Sequence, residues 1–477
     1  MATTEYVAYE NIRDQEVKAG GAGAPSSQDS TEAITKKNTA GDTTAGKTTR
    51  PTGFYGSLEE GVNGTTPLNA RGNLQREMSW RSWKSLARTL VTFLKSMVGS
   101  YILYTPKMFH NGGIVAATIT LLTSAMVACD NMLVLLQCAE YTGKNSYGQI
   151  GGAAIGPRGK LMVDVSLVLS QLSFCCTYFV FIVGNVPRIL PIPAPGSLLE
   201  WLLAPDVLVT LQLVVYIPMA FFRSLKDMAL VMFIANVCVW SGLILITYID
   251  AETVIRDGPQ PVLLYNPDTF VLFMGAIVVC FEGIGLVLPV REDVEPHLRS
   301  KYPGLIQGAM FFIAVIFACF ACLGYLAYGD DIKTFVTMNI PRDNPLGTMS
   351  VALYSVTIIL TYPLQLFPAI TCLERYLLFQ VDEKNAIRGW LQNGLRTLTV
   401  LFTAWVARYA GHSFDNFAGL IGGVCAVPLA LIYPAVFQLC LLRDNISTLR
   451  KCWTWLVLLA GCFSCVLCTW QSITTWK

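Results

Sequence analysis

Long apolar stretches alternate with short polar segments from about residue 89 to the C-terminus. A helix that crosses the hydrocarbon core of a bilayer needs about 20 predominantly apolar residues. Seven stretches contain no Asp, Glu, Lys or Arg, and each predicts a membrane-spanning helix: residues 108–129, 165–187, 228–249, 302–329, 345–373, 416–442 and 452–476.

Four further apolar stretches are short or contain charged residues. They are the first, fourth, sixth and ninth of eleven predicted spans, so the defects recur at an offset of five. An odd offset reverses the orientation of a helix, as an inverted repeat of five plus five spans requires. The weaker stretches are residues 89–109 with Lys95, residues 207–222, residues 269–290 with Glu282, and residues 390–410 with Arg396 and Arg408.

The pattern therefore predicts an all-α polytopic membrane protein with eleven transmembrane helices, a 5+5 inverted repeat plus one extra helix. Composition agrees, because only 14% of the residues are charged and 53% are hydrophobic, whereas soluble domains carry roughly 25% charged residues. So little charge cannot cover a water-facing surface, which argues against a soluble protein. The formal net charge of +2 predicts no nucleic-acid partner.

Residues 1–78 are rich in Gly, Ala, Ser and Thr and nearly lack aliphatic clusters. Such a segment cannot bury enough apolar surface to fold, so we expect a disordered N-terminal tail, and residues 79–476 form the predicted transmembrane domain. With the tail inside, the inner gaps between spans hold about twice as many Lys and Arg residues as the outer gaps. The positive-inside rule therefore predicts a cytosolic N-terminus.

An enzymatic function is not expected. Three histidines are present, and no Ser, His and Asp set converges at one depth. The 15 cysteines lie in or beside apolar runs and are interpreted as buried hydrophobic side chains, so neither a metal site nor a cofactor is predicted. The glycines of the segment GLIGG, residues 419–423, are interpreted as a close-packing contact.

The first span contains residues that permit a helix to unwind. Gly99 and Pro106 interrupt it, and Lys95, Ser96 and Ser100 also lie at membrane depth. Unwinding exposes backbone N–H groups at the start of the following half-helix. Together with the positive end of the helix dipole, these groups can hold a carboxylate.

The sixth span has a matching interruption at Glu282, Gly283 and Gly285. Carbonyl groups freed at such a break accept hydrogen bonds from an ammonium group. One break for a carboxylate and one for an amine together indicate an amino acid ligand. The alternative is that both breaks are kinks that only allow close helix packing.

Lys95 and Glu282 are ionisable groups within the hydrocarbon, where a charge is costly unless it is paired or hydrated. Glu282 is either the carboxyl group that carries a coupled proton or a fixed acceptor for neighbouring donors. Lys95 is either a cation tethered in the site or a side chain that extends toward the inner surface.

Five motifs in this order resemble the proton-coupled amino acid transporter branch of the amino acid/auxin permease family. The resemblance covers about residues 89–476. The motifs are LKSMVGSYILYTP followed by KMFHNGGIV in the first span, QLSFCCTYFVFIVGNV in the third, FEGIGLVLP in the sixth, LGYLAYG in the seventh and TYPLQLFPAI in the eighth.

The resemblance implies a secondary active transporter that moves amino acids by H⁺ symport with alternating access, on a core like that of the bacterial leucine transporter. It also implies a substrate held between the first and sixth spans and contacted from the third and eighth. Carried over by position, the carboxylate side is Ser96, Gly99 and Ser100, the amine side is Phe281, Glu282 and Gly283, and Tyr178 closes the pocket.

One position departs from the family pattern. Relatives commonly have Gly-x-Gly in the first span, whereas Tyr101 replaces the second glycine here. A tyrosine narrows access to the backbone, so the class of amino acid is not carried over.

The expected partners are an amino acid, a proton and the lipid bilayer. Proton coupling, with Glu282 and Lys95 as the coupling residues, is favoured because no cluster of sodium ligands stands out. A sodium-coupled transporter and a non-transporting amino acid sensor are the alternatives. The expected location is the plasma membrane or a vacuolar or lysosomal membrane.

Overall fold

The architecture is described from a computed structural model over residues 85–94, 97–224, 228–379, 381–382 and 386–476. These residues form helices and turns, and no β-strand occurs among them. The predicted tail and the site candidates Lys95 and Ser96 lie outside the described residues. The backbone of Ser100 is described, and its side chain is not.

Fifteen α-helices, α1 to α15, follow one another in the described residues. Their bounds are Ser85–Leu94, Thr105–Gly112, Ile114–Thr142, Tyr147–Ile189, Leu198–Leu202, Pro205–Ala220, Ala229–Asp257, Phe270–Cys280, Ile284–Asp293, Tyr302–Tyr328, Pro345–Leu377, Ala386–Ala410, Phe414–Ile421, Tyr433–Leu441 and Thr448–Thr474. Two π-helical segments, Gly422–Ala426 and Pro428–Ile432, connect α13 to α14.

Eight segments in the described part of the chain are long and apolar enough to cross a membrane. They correspond to the seven charge-free stretches and to the sixth predicted span, which consists of α8 and α9. The first, fourth and ninth predicted spans are not among them. An all-helical, multi-pass membrane architecture is therefore confirmed, and the count of eleven and the inverted repeat stay predictions.

The boundary between the first two predicted spans is wrong in detail. The second span was expected to begin at residue 108, but residues 108–112 belong to α2, and α3 begins at Ile114. Between the two helices, Gly113 has a φ of 79°, and a Cβ atom there would collide with the backbone of Tyr265. The absence of charged residues does not locate this turn, because residues 108–129 contain no Asp, Glu, Lys or Arg on either side of Gly113.

Polar contacts tie the helices together at the two ends of the bundle, which are called inner and outer in the sense of the predicted orientation. Buried or half-buried ion pairs lie at the inner end, and an exposed pair joins α6 to α12 at the outer end. The inner pairs are Arg291–Glu140 at 2.6 Å, Arg396–Glu374 at 2.7 Å and Arg450–Asp130 at 2.8 Å, and the outer pair is Arg408–Asp206 at 3.0 Å.

The tenth span packs so closely against its neighbours that its glycines have no room for a side chain. A Cβ atom on Gly422 would lie 2.5 Å from the carbonyl oxygen of Gly275 in α8, and one on Gly423 would lie 2.7 Å from Thr469 Oγ1 in α15. The interpretation of residues 419–423 as a close-packing contact is confirmed.

Candidate functional site

The sixth span is interrupted where the sequence pattern predicts a break. Helix α8 ends at Cys280 and α9 begins at Ile284, so Phe281–Gly283 form a non-helical connection. In it, Glu282 N donates to Val279 O at 3.2 Å and Gly283 N donates to Phe281 O at 3.1 Å. Gly285, also predicted to lie in the break, is in the first turn of α9.

The first span is also divided. The described part of helix α1 runs to Leu94, and Met97 is also helical. Val98 and Gly99 are not helical, and a 3₁₀ turn over Ser100–Tyr104 leads from them directly into α2. Pro106 lies in the first turn of α2, where its missing N–H leaves no hydrogen bond unmade. Gly99 immediately precedes the 3₁₀ turn and has an extended backbone.

The two breaks lie against each other and against α4. A Cβ atom on Gly283 would collide with the side chain of Met97, the helical residue just before the break in the first span. A Cβ atom on Gly99 would lie 3.7 Å from the hydroxyl of Tyr178 in α4. The structure thus brings Gly99, Tyr178 and Gly283 into one region, as the carried-over positions require.

Glu282 lies in the break of the sixth span with its carboxyl group unsatisfied. The residue is 5% exposed, and neither carboxyl oxygen has a hydrogen-bond partner among the described residues. The fully buried hydroxyl of Ser170 in α4 is close by, but it makes no well-formed hydrogen bond to Glu282 within the described part of the chain. Each unsatisfied buried polar group costs about 1–3 kcal/mol, so a ligand that supplies donors here is favoured.

Phe281 contributes its backbone to the break, and its ring points elsewhere. The ring stacks on Phe317 of α10, with centroids 5.9 Å apart and planes inclined by 29°. It also borders a cavity of about 200 Å³ between α3, α8, the second π-helical segment and α15. The Phe281 ring therefore packs away from the break and is not in position to contact a ligand there.

A pair of buried glutamines next to the breaks was missed in the sequence analysis. Gln365 Nε2 in α11 donates to Gln171 Oε1 in α4 at 2.7 Å, and Gln171 Nε2 lies 3.9 Å from the position of a Cβ atom on Gly285. Both residues occur in motifs that carry the family resemblance. The sequence signal that could have identified them is a glutamine, with its polar amide side chain, in each of two spans that contain no charged residue.

Tyr101 fills space beside the break in the first span. It is 7% exposed, and its ring meets Phe174 of α4 edge to face, with centroids 5.4 Å apart. Tyr104 makes a similar contact with it at 6.4 Å. At the position where relatives commonly have the second glycine, a packed aromatic ring therefore lies beside the break.

A second buried carboxyl group, Asp250 in α7, was also missed. It is fully buried, and one of its oxygens accepts a hydrogen bond of 3.0 Å from the hydroxyl of Tyr328 in α10. The apolar run that predicted this span ends at residue 249, whereas α7 continues to Asp257. Asp250 was therefore counted with the loop.

Together, the fold and the two apposed breaks define a multi-pass membrane protein with a buried polar site between interrupted helices. Residues 82–475 match the family described as "Transmembrane amino acid transporter protein". The chain belongs to this family, the amino acid/auxin permease family of the sequence resemblance. Its members are transporters and not enzymes.

Similar proteins come from fungi and plants. The chain is 30% identical to "Vacuolar amino acid transporter 3" of Schizosaccharomyces pombe, over 74% of this chain and 53% of that protein. It is 30% identical to the Saccharomyces cerevisiae protein of the same description, over 82% and 57% of the two chains. It is 27% identical to "Amino acid transporter AVT3B" of Arabidopsis thaliana, over 86% and 96%. The chain spans about half the length of the fungal relatives.

Among solved structures, the chain is similar to one described as the substrate-bound outward-open state of a Na⁺-coupled sialic acid symporter. The match has a TM-score of 0.42 and 10% sequence identity, and it covers 83% of this chain and 98% of that one.

Proposed function

We propose that this protein is a secondary active transporter that moves amino acids across a membrane by H⁺ symport. The observation that carries the proposal is the unsatisfied carboxyl group of Glu282, which lies in a helix break opposite a second break. A buried group with two free acceptor oxygens is suited to bind a proton, an ammonium group, or each in turn.

In the proposed binding mode, the substrate lies between the two breaks. Its carboxylate accepts hydrogen bonds from backbone N–H groups near Gly99 and Ser100, with Ser96 as a further donor on the same side. Its ammonium group lies near the connection Phe281–Gly283. Tyr178, whose hydroxyl is next to Gly99, closes the site from α4.

In the proposed coupling, Glu282 binds the proton and Lys95 acts with it. A protonated Glu282 carries no charge, so the helices around it can close over substrate and proton together at a lower cost than over a carboxylate. Alternating access by the predicted 5+5 repeat within eleven spans then exposes the site to each side in turn.

The names of the fungal relatives favour a vacuolar or lysosomal membrane over the plasma membrane. The positive-inside rule favours an N-terminus in the cytosol. On an acidic organelle, protons move down their gradient from the lumen to the cytosol. A symporter there exports amino acids from the lumen.

The test is uptake of radiolabelled amino acids by proteoliposomes in sodium-free buffer with an imposed pH gradient. We expect accumulation with wild type, and loss of accumulation with retained exchange in Glu282→Gln, because the amide cannot carry a proton. Glu252→Gln alters an exposed carboxyl group and is the matched control, with wild-type accumulation expected.

Uptake that requires sodium and ignores the pH gradient would replace proton coupling by sodium coupling. Specific amino acid binding without any transport would identify a sensor. Proton-driven accumulation by Glu282→Gln would remove Glu282 from the coupling.

A further inference from the structure

Asp250 is a buried acid at the outer end of the bundle that the proposed transport cycle does not use. Its Oδ1 accepts the hydrogen bond from Tyr328, and its Oδ2 has no partner among the described residues. A buried carboxylate with an unpaired oxygen is destabilising, and a buried carboxylic acid is much less so. The packing around Asp250 is therefore sensitive to its protonation.

Asp250, Gly324 and Pro106 form a row across three helices. A Cβ atom on Gly324 in α10 would lie 3.5 Å from Asp250 Oδ2 and 2.7 Å from the Pro106 ring of α2. The close approach of α2 to α10 thus occurs directly beside the unpaired carboxyl oxygen.

Further contacts join the ends of α2 and α10. The rings of His110 and Tyr325 meet edge to face, with centroids 5.8 Å apart. His110 Nε2 also lies 3.4 Å from Asp330 Oδ1. Because α2 is the outer half of the divided first span, these contacts hold that half-helix against α10.

The other titratable and charged groups around Asp250 do not neutralise it. Among the described residues, no Lys, Arg or His forms an ion pair with it, and the neighbouring charges are exposed or occupied with each other. On α7 these charges are Glu252 and the pair Arg256–Asp257 at 2.9 Å, and on α2 they are Lys107 and His110, 3.4 Å apart. The titratable groups on α10 are the neutral phenols of Tyr325 and Tyr328, and α11 carries the buried Tyr354.

We propose that Asp250 is a second proton-binding site, separate from Glu282, whose protonation holds α2 packed against α10 at the outer end of the transporter. Loss of the proton leaves a bare carboxylate beside Gly324, which favours separation of α2 from α10 and entry of water. The packed arrangement binds the proton more tightly than the separated one, so acid on the outer side stabilises the packed arrangement. This inference goes beyond the proposed function, because it concerns access to the site and not the coupled ion.

The test measures access to the contact between α2 and α10 by thiol labelling. In Pro106→Cys, the new sulfur takes the place of the Pro106 ring against Gly324, where it is shielded while the helices are packed. A membrane-impermeant maleimide is added from the outer side at a series of pH values, with and without Asp250→Asn. At each pH, the labelling rate of the protein with Asp250 is divided by the rate of the protein with Asp250→Asn, and this ratio cancels the pH dependence of the reagent itself. The same measurement on the chain without Pro106→Cys corrects for labelling of the native cysteines.

Asn is neutral and of the same shape as a protonated Asp, so Asp250→Asn is expected to stay packed at every pH. The two labelling rates should agree in acid. At higher pH the protein with Asp250 should be labelled about tenfold faster. Asp257→Asn, which changes an exposed carboxyl group on the same helix, should leave the labelling profile unchanged.

Tyr328→Phe provides a second variant in case Asp250→Asn does not fold. It removes a donor that favours the charged form of Asp250, so the rise in labelling should move to higher pH. A rate ratio that stays constant over the whole pH range, or an equal effect of Asp257→Asn, would overturn the proposal. The assay needs no substrate, so a failure of proton symport and a failure of this inference are distinguishable.

Discussion

Gln365 of α11 and Gln171 of α4 share a buried hydrogen bond of 2.7 Å across 194 residues of sequence. It joins two long helices beside the break in the sixth span. We expect Gln365→Ala to leave the amide of Gln171 without this partner and to lower the free energy of unfolding by about 1–3 kcal/mol. Denaturation in mixed micelles measures the loss.

The matched control for this pair is the double variant Gln171→Met with Gln365→Met. Replacing both partners by apolar groups of similar shape leaves neither unsatisfied, so the double variant should be closer to wild type than either single one. Additive losses would contradict an energetic role for the hydrogen bond.

Gly422 tests the packing of the tenth span on the sixth. Because a Cβ atom there would lie 2.5 Å from the backbone oxygen of Gly275, Gly422→Ala must separate the two spans. We expect a loss of about 1–3 kcal/mol in stability and a lower thermal unfolding midpoint in detergent. Gly394→Ala in α12 is the control, because nothing lies within 4 Å of a Cβ atom there, and a stability equal to or above wild type is expected.

The ion pair of Arg396 with Glu374 at the inner end allows the contribution of a buried ion pair to be tested. Arg396 is 3% exposed, and its guanidinium donates to Glu374 at 2.7 Å and to the carbonyl oxygen of Ala220 at 2.8 Å. Glu374→Leu leaves this cation without its counter-charge, and we expect a loss of about 3–5 kcal/mol in unfolding free energy. Arg408→Gln breaks an exposed pair and should cost about 0–1 kcal/mol. Equal losses of stability in the two variants would show that burial does not determine how much each ion pair contributes.

Tyr101 tests the size of the substrate site. Its ring packs against Phe174 beside the first break, so Tyr101→Gly should open space next to the proposed carboxylate position. We expect amino acids with larger side chains to compete more strongly for uptake in this variant. Tyr101→Phe keeps the ring and should retain wild-type size selectivity. An unchanged order of competitors in Tyr101→Gly would place the substrate elsewhere.

The apolar pattern predicted the segments that are long and apolar enough to cross a membrane, because length and charge alone decide that property. It also located the sixth-span break, since a glutamate and a glycine together disfavour a continuous apolar helix. The turn at Gly113 was missed because it lies in a stretch without Asp, Glu, Lys or Arg, so a criterion of length and charge runs straight through it. Asp250 was missed because a helix with a buried acid continues past the end of an apolar run.

The pairing of Gln171 with Gln365 shows a different limit of prediction from sequence. Each glutamine is visible in the sequence, but helical periodicity indicates which residues share a face of one helix and not which two helices meet. The contact depends on the packing of α4 against α11. Of the carried-over site, Gly99, Tyr178 and Gly283 lie together in the structure, whereas the direction of the Phe281 ring depends on its packing against α10.

Helix α2 has only eight residues, about 12 Å of helix, and neither end continues as α-helix. A 3₁₀ turn precedes it, and Gly113, with a backbone conformation that other residues rarely adopt, follows it. This short rod can therefore tilt about both ends while α1 and α3 keep their places in the bilayer. Moving α2 has to break its contacts with α10, such as the close approach at Gly324 and the ring contact of His110 with Tyr325, but it leaves the hydrogen bonds within the long membrane-spanning helices intact.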